Sequence, residues 1–161
     1  MLETLEGEAR QIVDRLIAAK RELPGALLPL LHDIQEALGY VPAGAVPLLA
    51  TALNRSRAEV HGVLTFYHHF RQEKPGKHVL RLCRAEACQA NGAEALLAHA
   101  RRSLACGDHE STADGAFTLE PVYCLGQCAC GPALLVDDEE IHARMTPEKF
   151  DALLASKRSA S

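Results

Sequence analysis

Tryptophan is absent, and only four Phe and three Tyr stand among 161 residues. An aromatic-rich β-sandwich core is therefore disfavoured. An excess of positive charge is also missing: 17 basic residues face 21 acidic ones, for a net charge of −4. Without a basic footprint to neutralise phosphates, nucleic acid is not an expected partner. No apolar run approaches the ~20 residues that span a bilayer, so no membrane segment is expected. The start, Met1-Leu2-Glu3-Thr4-Leu5-Glu6, is acidic where a secretory signal is basic, and the expected location is cytoplasmic. Glycine loops of the G-x-G-x-x-G or Walker type, an activated Ser and paired catalytic carboxylates are all missing. The chain has no visible means of its own to bind NAD or to break a substrate bond.

What is present is aliphatic: Leu (24) and Ala (26) occupy 50 of the 161 positions, a balance that suits packed helices. Apolar residues Leu5, Ala9, Ile12, Val13, Leu16 and Ile17 recur at helical spacing and predict a helix over 4–20. A second helix carries Leu27, Leu28, Leu31, Ile34 and Leu38 and ends near Leu38, with Gly39 as its left-handed cap. Pro42 is expected to open a third helix with Val46, Leu49, Ala50 and Leu53 inward and Pro47 in its first turns. Ser56 with Glu59 forms a capping box that starts a fourth helix at Arg57, running through Val60 and Val63. Residues 1–75 thus read as an N-terminal helical bundle.

The pattern changes at Lys74-Pro75-Gly76-Lys77. Alternation over 78–83 predicts a strand, 93–104 a helix, and 117–123 and 133–136 two further strands. A polar turn at 137–140 leads to a short segment at 141–143. Thr146 and Pro147 open a last helix burying Phe150, Leu153 and Leu154, and 156–161 reads as a disordered tail. Residues 76–161 therefore form a β-α-β-β-α domain, and the chain as a whole is α+β. Among lesser features, Phe66 is expected in the core, Tyr67 and Phe70 are left open, and His68-His69 read as surface or interface packing.

The cysteines carry the chemistry. Cys83-x4-Cys88 and Cys124-x3-Cys128 lie 35 residues apart, each pair at the C-terminal end of an expected strand. If those strands are neighbours, four soft thiolate ligands converge, which suits zinc or an iron–sulfur cluster. Neither pair is the C-x2-C of tight zinc knuckles, and the looser loops favour the wider [2Fe–2S] body, with zinc remaining open. Asn91 stands where a C-x4-C-x2-C ferredoxin needs its third cysteine, and Cys128-Ala129-Cys130 falls one residue short of a dithiol C-x-x-C.

The stretches Leu82-Cys-Arg-Ala-Glu-Ala-Cys-Gln89 and Val122-Tyr-Cys-Leu-Gly-Gln-Cys-Ala-Cys-Gly-Pro132 resemble the thioredoxin-like [2Fe–2S] ferredoxin family. So do, upstream, Gly39-Tyr-Val-Pro42 and Gly62-Val-Leu-Thr-Phe-Tyr-His-His-Phe70. Within that family, Arg84-Ala-Glu-Ala87 and Cys128-Ala-Cys-Gly-Pro132 look most like the gamma subunit of soluble NAD-dependent molybdenum formate dehydrogenases. The corresponding subunits of complex I and of NAD-linked hydrogenases are the siblings. The resemblance implies a [2Fe–2S] cluster on Cys83, Cys88, Cys124 and Cys128, with FMN and NAD on a partner subunit and a molybdenum cofactor on a formate-oxidising one. It also implies single-electron exchange with the flavin, at a cluster off the direct route between the two active sites. A zinc-stabilised adaptor without redox function is the further alternative. Cys130 is either a neighbour that tunes the cluster or a packed thiol, and Cys106 reads as inert. Gly126 and Gly131 either let backbone approach the sulfurs or satisfy turn geometry. Arg81 and Arg84 are candidates to offset the cluster's negative charge.

Overall fold

The computed structural model describes residues 5–159, and the chain divides between Lys74 and Pro75 into two compact units. The first contains four helices, α1 (Gly7–Lys20), α2 (Leu27–Leu38), α3 (Ala45–Ala52) and α4 (Arg57–Phe66). Their apolar faces close on one core in which Val13, Leu30, Leu31, Ile34, Val41, Leu49 and Val60 are wholly buried. Gly39 ends α2 at φ +84°, and its N–H donates to the Gln35 carbonyl at 2.7 Å, the left-handed cap the sequence predicts. At the start of α4 the Ser56 hydroxyl accepts from the Glu59 N–H at 3.1 Å. The Glu59 carboxylate returns the bond from the Ser56 N–H at 2.8 Å, completing the capping box.

Three expectations in this unit shift. Glu6 is extended, so α1 begins at Gly7 rather than at residue 4, which itself lies outside the described residues. Pro42 does not open α3: residues 42–45 form a turn in which the Ala45 N–H reaches the Pro42 carbonyl at 2.8 Å. Pro47 instead occupies the third position of α3, where a helix N–H has no intrahelical acceptor to lose. Phe66 is 75% exposed, not core; two residues beyond buried Leu64 is 200° around the helix, which places it on the opposite face. Phe70 takes the buried position, with its ring 5.0 Å from His32. His69 packs 5.2 Å from the same imidazole, and both His68 and His69 are exposed.

The second unit is a five-stranded mixed sheet with helices. Its elements are β1 (His78–Cys83), α5 (Glu86–Ala90), α6 (Ala93–Leu104), β2 (Glu110–Ser111), β3 (Phe117–Val122), β4 (Leu134–Val136), β5 (Glu140–His142) and α7 (Pro147–Ser159). A 3₁₀ turn, Cys128–Cys130, precedes β4. Strand order is β2-β3-β1-β4-β5. β1 is central, parallel to β3 and antiparallel to β4, and its apolar residues face a core of Leu80, Leu82, Leu97, Phe117, Leu119, Leu134 and Phe150, all fully buried. This is the α+β architecture expected, with three additions the sequence did not signal: α5, β2 and the 3₁₀ turn. The tail is also helical to Ser159 rather than disordered from residue 156. The Ser156 and Ser159 hydroxyls donate to carbonyls three residues back at 2.7 and 2.8 Å, and Lys157 reaches the Glu140 carboxylate at 2.6 Å. Residues 160 and 161 lie outside the described residues.

Candidate metal centre

The parallel register runs from His78↔Phe117 to Cys83↔Val122, so β1 and β3 finish side by side at one edge of the sheet. Cys83 is the last residue of β1, and Cys124 follows β3 by two residues. Their partners do not sit on simple loops. Cys88 lies inside α5, whose Glu-Ala-Cys-Gln-Ala sequence is rich in helix formers, and Cys128 opens the 3₁₀ turn.

The four thiols meet as two pairs. Cys124 and Cys128 sulfurs are 3.7 Å apart, and the Cys88 thiol hydrogen-bonds the Cys83 sulfur. The pairs are close enough that charge on Cys83 acts on both Cys88 and Cys128. Cys83 and Cys88 are buried, whereas Cys124 and Cys128 are exposed. Among the described residues no group of three or more His, Cys, Asp or Glu side chains is placed to hold one metal ion.

The backbone supplies donors to this sulfur edge. Burial opposes ionisation of Cys83, but N–H groups of Ala85, Leu125 and Cys124 and the Cys88 thiol outweigh it, holding Cys83 below the ordinary thiol range. Burial pushes Cys88 up, with the Cys83 charge adding to it, and the Ala133 N–H only partly compensates. Cys128 is raised chiefly by donating to Cys124 and by the charge of that neighbour. The Gly126 N–H points at the Cys124 sulfur at 3.4 Å. Cys106, half-buried beyond α6, packs against the sheet core away from these pairs and is raised mainly by burial, then by Glu110 and Asp108. Cys130 is half-buried beside Cys128, its carbonyl taking the Arg144 N–H at 2.7 Å.

The two arginines read as charge compensators are already engaged. Arg84 makes a two-point ion pair with Glu94 at 2.9 and 3.1 Å, and Arg81 pairs with Glu120 at 2.9 Å and with Asp138. At the sulfurs, negative charge is met by backbone N–H groups instead. The aromatic at this edge that sequence reasoning passed over is Tyr123, 71% exposed and one residue beyond the end of β3. Its place beside Cys124 was the available signal.

The two units and this sulfur edge define a class, and comparison with known proteins gives the same one. Residues 13–158 match the thioredoxin-like [2Fe-2S] ferredoxin family, and the chain belongs to it. Among curated proteins it is 36% identical over 129 residues to the E subunit of the NADH-quinone oxidoreductase of Pseudomonas aeruginosa, covering 80% of this chain and 77% of that one. It is 33% identical over 150 residues to the counterpart from Escherichia coli, covering 93% and 90%. Among solved structures, it resembles an NAD+-reducing [NiFe]-hydrogenase in the H2-reduced state, with a TM-score of 0.68 and 27% identity over 86% of this chain. It spans only 23% of that hydrogenase chain. The thiols fit the family's cofactor: two sulfur pairs on neighbouring strand ends, with N–H donors directed at Cys83, Cys88 and Cys124.

Proposed function

We propose that this chain is an electron-transfer subunit that holds a [2Fe–2S] cluster through Cys83, Cys88, Cys124 and Cys128 and serves a flavin-bearing, NAD-linked oxidoreductase. The observation that carries this reading is the meeting of two thiol pairs at the parallel ends of β1 and β3 in a chain of this family. When bound, the cluster supplies storage of one electron at a time. The chain's own residues do the rest. Buried Cys83, at the end of β1, and buried Cys88, in α5, anchor the site in the core of the unit, and exposed Cys124 and Cys128 bring it to the surface, where a partner can approach. The N–H groups on the sulfurs stabilise added negative charge. Because the sequence carries no nucleotide-binding glycine loop, the reading assigns flavin and NAD to a partner subunit.

The finer proposal is the gamma subunit of a cytoplasmic NAD-dependent formate dehydrogenase, whose molybdenum subunit oxidises formate. It is supported by Arg84-Ala-Glu-Ala87 and Cys128-Ala-Cys-Gly-Pro132. A second reading, the corresponding subunit of an NADH-quinone oxidoreductase or an NAD+-reducing hydrogenase, is favoured by the relatives named above. Anaerobic purification from the native cell tests all of these. Two irons, two acid-labile sulfides and a dithionite-bleached visible spectrum are expected, whereas one zinc without sulfide overturns the cluster. A copurifying molybdenum subunit selects formate dehydrogenase; quinone-reducing or nickel subunits select the siblings.

A further inference from the structure

The two glycines beside the second thiol pair are glycine for opposite reasons. Gly126 turns the chain at φ +76°, and a Cβ built there meets nothing within 4 Å; it serves the backbone conformation. Gly131 has φ −66° and ψ 162°, an extended conformation open to any residue and usual before proline. Conformation does not explain it. A Cβ at Gly131 would stand 3.1 Å from the Cys88 sulfur and 3.3 Å from the Cys88 Cα, closer than the ~3.5–4.0 Å of ordinary carbon contact, with the Ala87 carbonyl at an ordinary 3.5 Å.

Both sides of this contact are restrained. Backbone hydrogen bonds pin the segment on both flanks: Arg144 to the Cys130 carbonyl at 2.7 Å, Met145 to that of Pro132 at 3.0 Å, and Cys83 to that of Ala133 at 3.0 Å. On the other side, Cys88 is 2% exposed and sits in α5 with the Ala133 N–H on its sulfur.

We infer that Gly131 is a positioning residue for the Cys88 thiolate: its bare Cα lets the segment of the second thiol pair lie directly on the ligand of the first and fixes where that sulfur stands. The inference rests on the cluster reading above and assigns a role within it. Gly131→Ala displaces the Cys88 sulfur by a few tenths of an ångström and disturbs its bond from Ala133, while leaving the other three ligands in place.

The test compares the full chain with Gly131→Ala and with Gly115→Ala. Gly115 lies away from the thiols at φ +67° with nothing within 4 Å, so that variant destabilises through backbone alone. Each is reconstituted anaerobically with ferrous iron and sulfide. Gly131→Ala is expected to take up the cluster with altered visible circular dichroism and reduced-state EPR g-values, and to lose iron to a chelator about tenfold faster. Gly115→Ala should keep the wild-type spectra. Identical spectra and loss rates for Gly131→Ala and wild type overturn the inference. Urea unfolding of the metal-free chain gives an independent arm. Gly131→Ala should lower the midpoint clearly in the wild-type background and less in Cys88→Ala, where the opposing sulfur is gone; equal shifts overturn the contact. Should the wild-type chain bind no iron and sulfide, the functional reading falls, and the urea arm still decides the role of Gly131.

Discussion

Replacing Cys124 by Ser, with Cys106→Ser as its counterpart, separates a ligand from a bystander. Cys106 is half-buried against the sheet core, so exchanging its sulfur for a hydroxyl costs about 1–3 kcal/mol of partly uncompensated polar burial. Against a domain stability of roughly 5–15 kcal/mol, the variant stays overwhelmingly folded. Its iron and sulfide content should match wild type. Cys124 is exposed and left-handed at φ +86°, 3.7 Å from the Cys128 sulfur, so Ser there disturbs little packing and leaves the fold intact. It does remove one of the two soft ligands expected on one iron, and a serine hydroxyl stays protonated near neutral pH and is a harder donor. Changes one shell out from a metal alone cost about 10–100-fold in affinity, so loss of a direct ligand should reduce cluster retention at least about 100-fold. Iron, sulfide and visible absorbance after anaerobic reconstitution and desalting measure both variants. Equal loss in the two, or none in Cys124→Ser, refutes the ligand assignment.

Three further outcomes test the scaffold. Ser56→Ala removes the reciprocal cap of α4 and should cost about 1 kcal/mol in urea unfolding. Leu97→Ala, at a fully buried position of α6, should cost about 3–5 kcal/mol through lost transfer energy and the cavity left behind, and a value below about 1 kcal/mol contradicts the packing described. Asp108 is held below the ordinary carboxylate range by its hydrogen bonds from Arg101, Asp114 by the Thr112 hydroxyl and Glu140 by Lys157. Folded values lower than unfolded ones give stability that is complete above about pH 5 and fades as pH falls through the lowered values. The urea midpoint should therefore drop between about pH 5 and pH 3, less steeply in Arg101→Ala.

Legibility followed the range of the interaction. Caps at Gly39, Ser56 and Thr146 could be read because each involves residues within four positions of one another, and β1 and α6 because their periodicity is strong. Pro42 misled because both a first helical position and a tight turn suit proline. Phe66 misled because hydrophobicity alone does not say which face of α4 is covered. The cysteine spacing pointed to two pairs but not to the helix under Cys88 or the exposure difference between the pairs, which depend on packing. Arg84 shows the same limit: sequence places it one residue from Cys83, yet Glu94, ten residues on, holds its guanidinium. The distinct reasons for Gly126 and Gly131 exist only in three dimensions.

The pairing of β1 with β3 also orders events in time. A chain made from its N-terminus releases Cys83 and Cys88 while the second pair, 35 residues behind, is still unmade. Those early thiols meet the second pair only when a non-local strand association, intrinsically slow, brings Val122 alongside Cys83. If the four thiols hold a cluster as proposed, its insertion is a finishing step that follows the zipping of two distant strands.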